Sequence, residues 1–346
     1  MYAGHSLSKR IALAALTSCL LTIPVGAQAA ARMFPTPHTV SPELQQLIAA
    51  KPLPYWNDHP KTSSEWKTWV NRLAQEEVKE LPALREHLGV YATQGKIGGV
   101  PVFTFTPKNL PEANRDRVLL NLHGGGYVLG PGESGTQEAI LMAGIGEYRV
   151  IYVDYRMAPD FPYPAAVDDA LSVYRELLKT TPAEKIGIFG TSTGGGMTLI
   201  LTLRAKEEGL PLPAAIAAGT PWADMSKTGD SYFTNEGVDN ILVSYDGWLG
   251  DAARLYAGGR DLKDPMLSPI YGDVNGFPPT LLTSGTRDLF LSNTVRMHLK
   301  LRKAGVPADL IVFEGMSHAQ YHMVPDAPET KFHFTELERF FSRHLK

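Results

Sequence analysis

Six residues, Gly190-Thr191-Ser192-Thr193-Gly194-Gly195, limit what this chain can fold into more than any other stretch of it. They follow the apolar run Ile186-Gly187-Ile188-Phe189 and precede the helix-compatible run Met197 to Leu201. The segment reads as a strand, a sharp turn carrying a serine, then a helix. A serine at so tight a bend takes a strained backbone, and bulky residues two positions to either side would clash across it. Gly190 and Gly194 supply that room. As a bare pattern the motif is weak in a chain with 32 glycines, so its weight depends on partners elsewhere in the sequence.

The setting is consistent with an α/β protein. Apolar runs at 118–121, 150–153, 185–189 and 214–218 alternate with helical stretches, and 280–283 and 309–313 flank another helical stretch at 293–303. Such alternation predicts a mainly parallel sheet with helices on both faces. Val100 to Phe105 alternates like a strand hairpinned with the segment near Val90, and 331–344 reads as a closing helix. The core then spans 89–224 and 270–346. Residues 225–269 are not sheet-like and are expected as an inserted cap segment holding Tyr245 and Trp248. Residues 32–88 form an N-terminal cap segment in which Trp56, Trp66 and Trp69 either pack on the main domain or line an apolar cleft with Tyr55. With 346 residues and 44% hydrophobic content the chain can bury such a core. A formal net charge of -3, without a basic stripe or an acidic tail, excludes nucleic acid as the expected partner and points to a small, largely neutral molecule.

Lys9 and Arg10, the apolar run Ile11 to Val25 and the small residues Ala27 to Ala31 have the three sections of a signal peptide covering 1–29, with cleavage after Ala29 or Ala31. The expected destination is the periplasm or the medium. The run is short for a membrane span and is interrupted by Pro24, so no stable span is expected. The alternative is a lipoprotein anchored at Cys19, which follows Leu16-Thr17-Ser18. Cys19 is the only cysteine, so a chain cleaved after Ala29 has no thiol for a disulfide or a thiolate metal site.

Directly after the 118–122 run comes His123-Gly124-Gly125-Gly126-Tyr127, where successive glycines let backbone N–H groups converge on one point, as a developing oxyanion requires. Taken with YRMAPDFPYPAAVDDA at 155–170, GTSTGG at 190–195 and GMSHAQY at 315–321, this set resembles the hormone-sensitive-lipase-like esterases, bacterial family IV, over residues 102 to the C-terminus. The resemblance implies an α/β-hydrolase fold with a helical cap, hydrolysis of carboxylic esters without a cofactor or metal, and oxyanion donors at the backbone of Gly124, Gly125 and Thr193.

A serine hydroxyl needs a general base, and His318, in a loop after the last strand candidate, is the favoured one over His322, His333 and His344. The spacing of His318 and His322 also fits a metal pair, but no further ligand cluster stands nearby. The imidazole needs a carboxylate, and Asp288 follows the strand candidate at 280–284, 30 residues before His318. Its structural alternative is a helix N-terminal carboxylate, whereas the resemblance places the acid at this position. The order Ser192, Asp288, His318 is that of α/β-hydrolases. Arg156, Asp168 and Asp169 are expected to pair structurally, and the His123 side chain to shape its own loop. The family's turn carries an acidic residue before the serine and alanine after it, so Thr191 and Thr193 are departures expected to narrow or polarise the pocket. The expected activity is cleavage of short- to medium-chain esters through an acyl-enzyme. A lactonase or deacetylase with the same residues and a non-catalytic binding protein remain alternatives, and a homodimer stays open.

Overall fold

The computed structural model describes residues 34–346; the expected leader and Cys19 lie outside them. Eight strands, β1 (Val90–Ile97), β2 (Val100–Pro107), β3 (Val118–Asn121), β4 (Val150–Val153), β5 (Ile186–Thr191), β6 (Ala215–Gly219), β7 (Thr280–Gly285) and β8 (Ala308–Phe313), form one sheet in the order β1-β2-β4-β3-β5-β6-β7-β8. β1 and β2 form the expected antiparallel hairpin, with Val90 opposite Pro107, and β2 runs antiparallel to β4. All later neighbours are parallel. The fold is an α/β-hydrolase fold, as the motifs implied.

Among the described residues ten α-helices accompany the sheet: α1 (Pro42–Ala49), α2 (Ser63–Glu77), α3 (Leu81–Leu88), α4 (Gln137–Ile145), α5 (Ala165–Leu177), α6 (Thr193–Glu207), α7 (Ser231–Thr234), α8 (Trp248–Ala257), α9 (Leu291–Lys303) and α10 (Pro328–His344). The parallel strands β3 to β7 are buried on both faces, and this is why they read as continuous apolar runs, while the edge strand β8 is partly exposed. Alternate residues serve two cores. Leu120, Ile151, Ile188 and Ile216 join residues of α5, α6 and α9 on one face. Leu119, Val150, Phe189 and Ala217 join residues of α4 and α10 on the other.

Residues 34–88 and 225–269 meet over the C-terminal edge of the sheet. Trp66 and Trp69 are buried and pack edge to face at 5.5 Å, and Trp69 lies 5.6 Å from Trp248 on α8. The Trp69 indole N–H donates to Asp58 at 2.8 Å. Among the described residues no helix is long and apolar enough to cross a membrane.

Candidate active site

Four loops leave the C-terminal ends of parallel strands along one edge of the sheet, the edge at which open α/β sheets bind ligands. They follow β3, β5, β7 and β8 and carry His123 to Gly126, Ser192, Asp288 and His318 respectively.

Ser192 occupies the turn between β5 and α6 with φ 63° and ψ -122°. Its N–H donates to the Gly219 carbonyl at 2.8 Å and its carbonyl accepts from Trp222 at 2.9 Å. A Cβ on Gly190 or Gly194 would lie 2.0 or 1.8 Å from the Leu122 carbonyl oxygen. No side chain fits at that separation, so the two glycines let β5 and α6 close against the end of β3.

The three sequence-predicted side chains come together. Ser192 Oγ lies 2.8 Å from His318 Nε2, and His318 Nδ1 lies 3.0 Å from Asp288 Oδ1. His318 is 4% exposed and Asp288 is fully buried. Asp288 Oδ1 also accepts the Phe290 N–H at 2.8 Å, and Oδ2 accepts the hydroxyls of Ser284, at 2.7 Å, and Thr220. Burial pushes the Asp288 carboxyl up, but the adjacent imidazole and these donors outweigh it and hold the group below the usual carboxylate range. The rival histidines do not hydrogen-bond to Ser192. Burial pushes His322 down to about 4 and His333 to about 3, so both rings are neutral near pH 7. His344 closes α10.

The glycine loop lies against the serine: a Cβ on Gly124 would be 3.3 Å from that of Ser192. Among the described residues no backbone hydrogen bond uses the N–H of Gly124 or Gly125. Thr193 opens α6, where an N–H has no intrahelical acceptor. His123 shapes the loop as expected. Its Nδ1 donates to the Gly124 carbonyl at 2.8 Å, and its ring stacks on Tyr155 at 4.1 Å. Burial lowers its pKa to about 4, which keeps it neutral. Arg156 and Asp169 form the expected structural pair, with the guanidinium donating to both carboxylate oxygens.

Of the two threonines, Thr193 acts differently from expectation, whereas Thr191 does border the cavity. Thr193 is fully buried, and its Oγ1 accepts the Gly126 N–H at 2.7 Å, tying the serine turn to the glycine loop instead of narrowing a pocket. Thr191 borders the cavity in front of Ser192 and donates to Glu138 on α4 at 2.6 Å, with the Tyr321 hydroxyl 2.9 Å away. Asn121 donates to the other Glu138 oxygen at 3.2 Å. Burial pushes the Glu138 carboxyl up to about 7 against these hydrogen bonds.

Asp239 has no sequence signal, yet it joins the two loops that carry Asp288 and His318. It is fully buried, and Oδ2 accepts the backbone N–H of Leu289 at 2.8 Å and of His318 at 3.3 Å. Oδ1 accepts those of Ile241 and Leu242. Burial and the charge of Asp288 raise its pKa.

These groups open on a cavity of about 240 Å³ lined by Ser192, His318 and Gly124 from the core and by Tyr55, Glu77 and Trp248 from the segments above. Trp56, Trp66 and Trp69 do not line it, so their packing reading holds. The fold and this serine–histidine–carboxylate arrangement define an α/β hydrolase. The family model described as α/β hydrolase fold matches residues 119–322. An acetyl-hydrolase from Streptomyces hygroscopicus is 32% identical over 220 residues, covering 63% of this chain and 73% of that one. The crystal structure of an esterase, E25, superposes with a TM-score of 0.88 at 46% identity, covering 93% of this chain and 99% of that one. A second, an esterase from the bacterial hormone-sensitive lipase family, has a TM-score of 0.70 at 29% identity over 83% and 100% of the two chains. The chain belongs to the α/β-hydrolase fold family, among the hormone-sensitive-lipase-like esterases.

Asp239→Asn would set an amide N–H₂ against the N–H groups of Leu289 and His318 or of Ile241 and Leu242. With a p-nitrophenyl ester as substrate, kcat is expected to fall about 10- to 100-fold and KM to change less than about threefold, the pattern of a misplaced reacting group. An unchanged kcat in a folded variant would contradict this positioning role.

Proposed function

We propose that the chain is a serine esterase that works through an acyl-enzyme. Ser192 Oγ attacks the ester carbonyl carbon as His318 Nε2 takes its proton. The negative charge that develops on the carbonyl oxygen is received by the N–H groups of Gly124, Gly125 and Thr193, one such donor being worth roughly 10²–10³ in rate. Collapse of this intermediate breaks the bond to the alcohol oxygen, which takes the proton from His318. Water then enters, gives a proton to His318 and attacks the acyl carbon, and Ser192 Oγ leaves with that proton. Asp288 accepts the Nδ1–H of His318 throughout, holding the tautomer and stabilising the imidazolium. The observation that carries the reading is the 2.8 Å approach of Ser192 Oγ to His318 Nε2. That all three side chains are within hydrogen-bond reach argues against a non-catalytic binding protein.

Short to medium acyl chains fit best. The cavity of about 240 Å³ is small beside the roughly 300–1,000 Å³ of common ligand pockets. Similarity to an acetyl-hydrolase favours the short end, and removal of acetyl groups from a larger alcohol is the second reading it supports. Lys9-Arg10, the following apolar run and Ala27 to Ala31 support export to the periplasm or medium. N-terminal sequencing of the exported protein is expected to begin after Ala29 or Ala31; a lipidated Cys19 at the terminus would overturn cleavage there in favour of anchoring.

Ser192→Ala is expected to lower kcat on p-nitrophenyl acetate and butyrate by at least about 10⁴-fold while the variant stays folded. Activity retained within tenfold of wild type would remove Ser192 from its role.

A further inference from the structure

The cavity in front of Ser192 carries carboxylates and aromatic rings but no Lys or Arg among its described lining residues. Of its two glutamates, Glu138 is buried and engaged by Thr191 and Asn121. Glu77 has no hydrogen bond or ion pair among the described residues, although carboxylates near it do. Glu76 pairs with Lys79 at 2.5 Å, Asp58 accepts from Trp69 at 2.8 Å, and Asp251 lies 2.6 Å from His59.

Helix stability does not account for Glu77. It is the last residue of α2, where the helix dipole disfavours a negative charge, and no basic residue in that turn offsets it. The residue is exposed, yet it lines the cavity with Tyr55 and Trp248, and the protein around it pushes its carboxyl up to about 7. Its charge is felt by Tyr55, whose hydroxyl is pushed up to about 12, mainly by burial and then by Glu77. Tyr55 and Trp248 line the same cavity and are joined through Trp69, 5.9 Å from one ring and 5.6 Å from the other. Aromatic rings beside an unpaired carboxylate are the chemistry that holds an ammonium group.

We propose that the cleft selects esters carrying a positive charge, with Glu77 receiving the cationic group and Tyr55 and Trp248 flanking it. The inference rests on the ester-hydrolase reading and adds a substrate class to it. Above about pH 7, where Glu77 is ionised, a cleft lined by one sign of charge also concentrates ligands of the opposite sign and repels those of its own. Anionic esters such as hemisuccinates are therefore the poorest substrates of a matched series.

The test uses two matched pairs of substrates. Butyrylthiocholine and its uncharged tert-butyl isostere place the charge on the leaving group; the p-nitrophenyl esters of ε-aminocaproate and of heptanoate place it on the acyl chain. In at least one pair the cationic member is expected to show a kcat/KM about tenfold higher, mostly through KM. Glu77→Gln is expected to bring that ratio close to one. Glu76→Gln, which removes the same charge one residue away outside the cleft, is expected to leave the ratio as in wild type. A ratio near one in both pairs, or one lowered equally by the two variants, overturns the inference while neutral-ester turnover upholds the hydrolase. Absence of turnover of every ester overturns the hydrolase reading and this inference with it.

Discussion

Everything at the reacting end of this fold depends on one close approach, that of Gly190 and Gly194 to the carbonyl oxygen of Leu122. With Cβ positions 2.0 and 1.8 Å from that oxygen, no other residue fits. The approach presses the end of β5 and the first turn of α6 onto the end of β3. It leaves Ser192 at φ 63°, a conformation that costs on the order of 1–3 kcal/mol for a residue with a side chain. Hydrogen bonds from Ser192 to Gly219 and from Trp222 to Ser192 hold the turn in that state. Because the glycine loop begins one residue after Leu122, the same contact sets the serine against Gly124 and Gly125. Thr193 adds a bond from the turn to Gly126, closing the arrangement from the other side.

A second constraint comes from outside the sheet. Asn240 donates to the carbonyls of Leu47 and Ala50 at the end of α1, its own N–H reaches Ser317 Oγ, and Gln320 donates to its side-chain oxygen. Leu44 and Ile48 of α1 pack against Met316 and Tyr321 on either side of His318. With Asp239 bound to the backbone of Leu289 and His318, the N-terminal segment, the inserted segment and the two loops carrying Asp288 and His318 form one hydrogen-bonded body. The segments that roof the cleft thus also hold the proposed base and its carboxylate, so the cleft shape and the site geometry are coupled.

The centre of the sheet was legible because β3 to β7 are buried on both faces and bounded by Gly, Pro and polar turns, which makes each a short apolar run. Ser192, Asp288, His318 and the glycine loop were legible because each sits at a strand end in a motif confined to a few residues. Asp239, Thr220, Ser284 and Glu138 were not. Each touches the site through a partner far away in sequence, 79 residues between Asp239 and His318 and 53 between Glu138 and Thr191, except Ser284, which is ordinary strand sequence until Asp288 folds back on it. The threonines flanking Ser192 were visible as departures, but their direction was not. Whether a hydroxyl enters a pocket or ties two loops depends on the side of the turn it faces, and only packing decides that. The tryptophans divided likewise: Trp66 and Trp69 support the roof while Trp248 reaches the cavity.

The most direct test of the central claim, that His318 activates the Ser192 hydroxyl in a formed oxyanion site, is covalent. The wild-type protein is treated with a fluorophosphonate, digested and mapped by mass spectrometry. The account predicts one phosphonyl group per chain, on the peptide containing Ser192, with labelling slowed by orders of magnitude in His318→Ala. Labelling of another residue, or equal rates with and without His318, would contradict it.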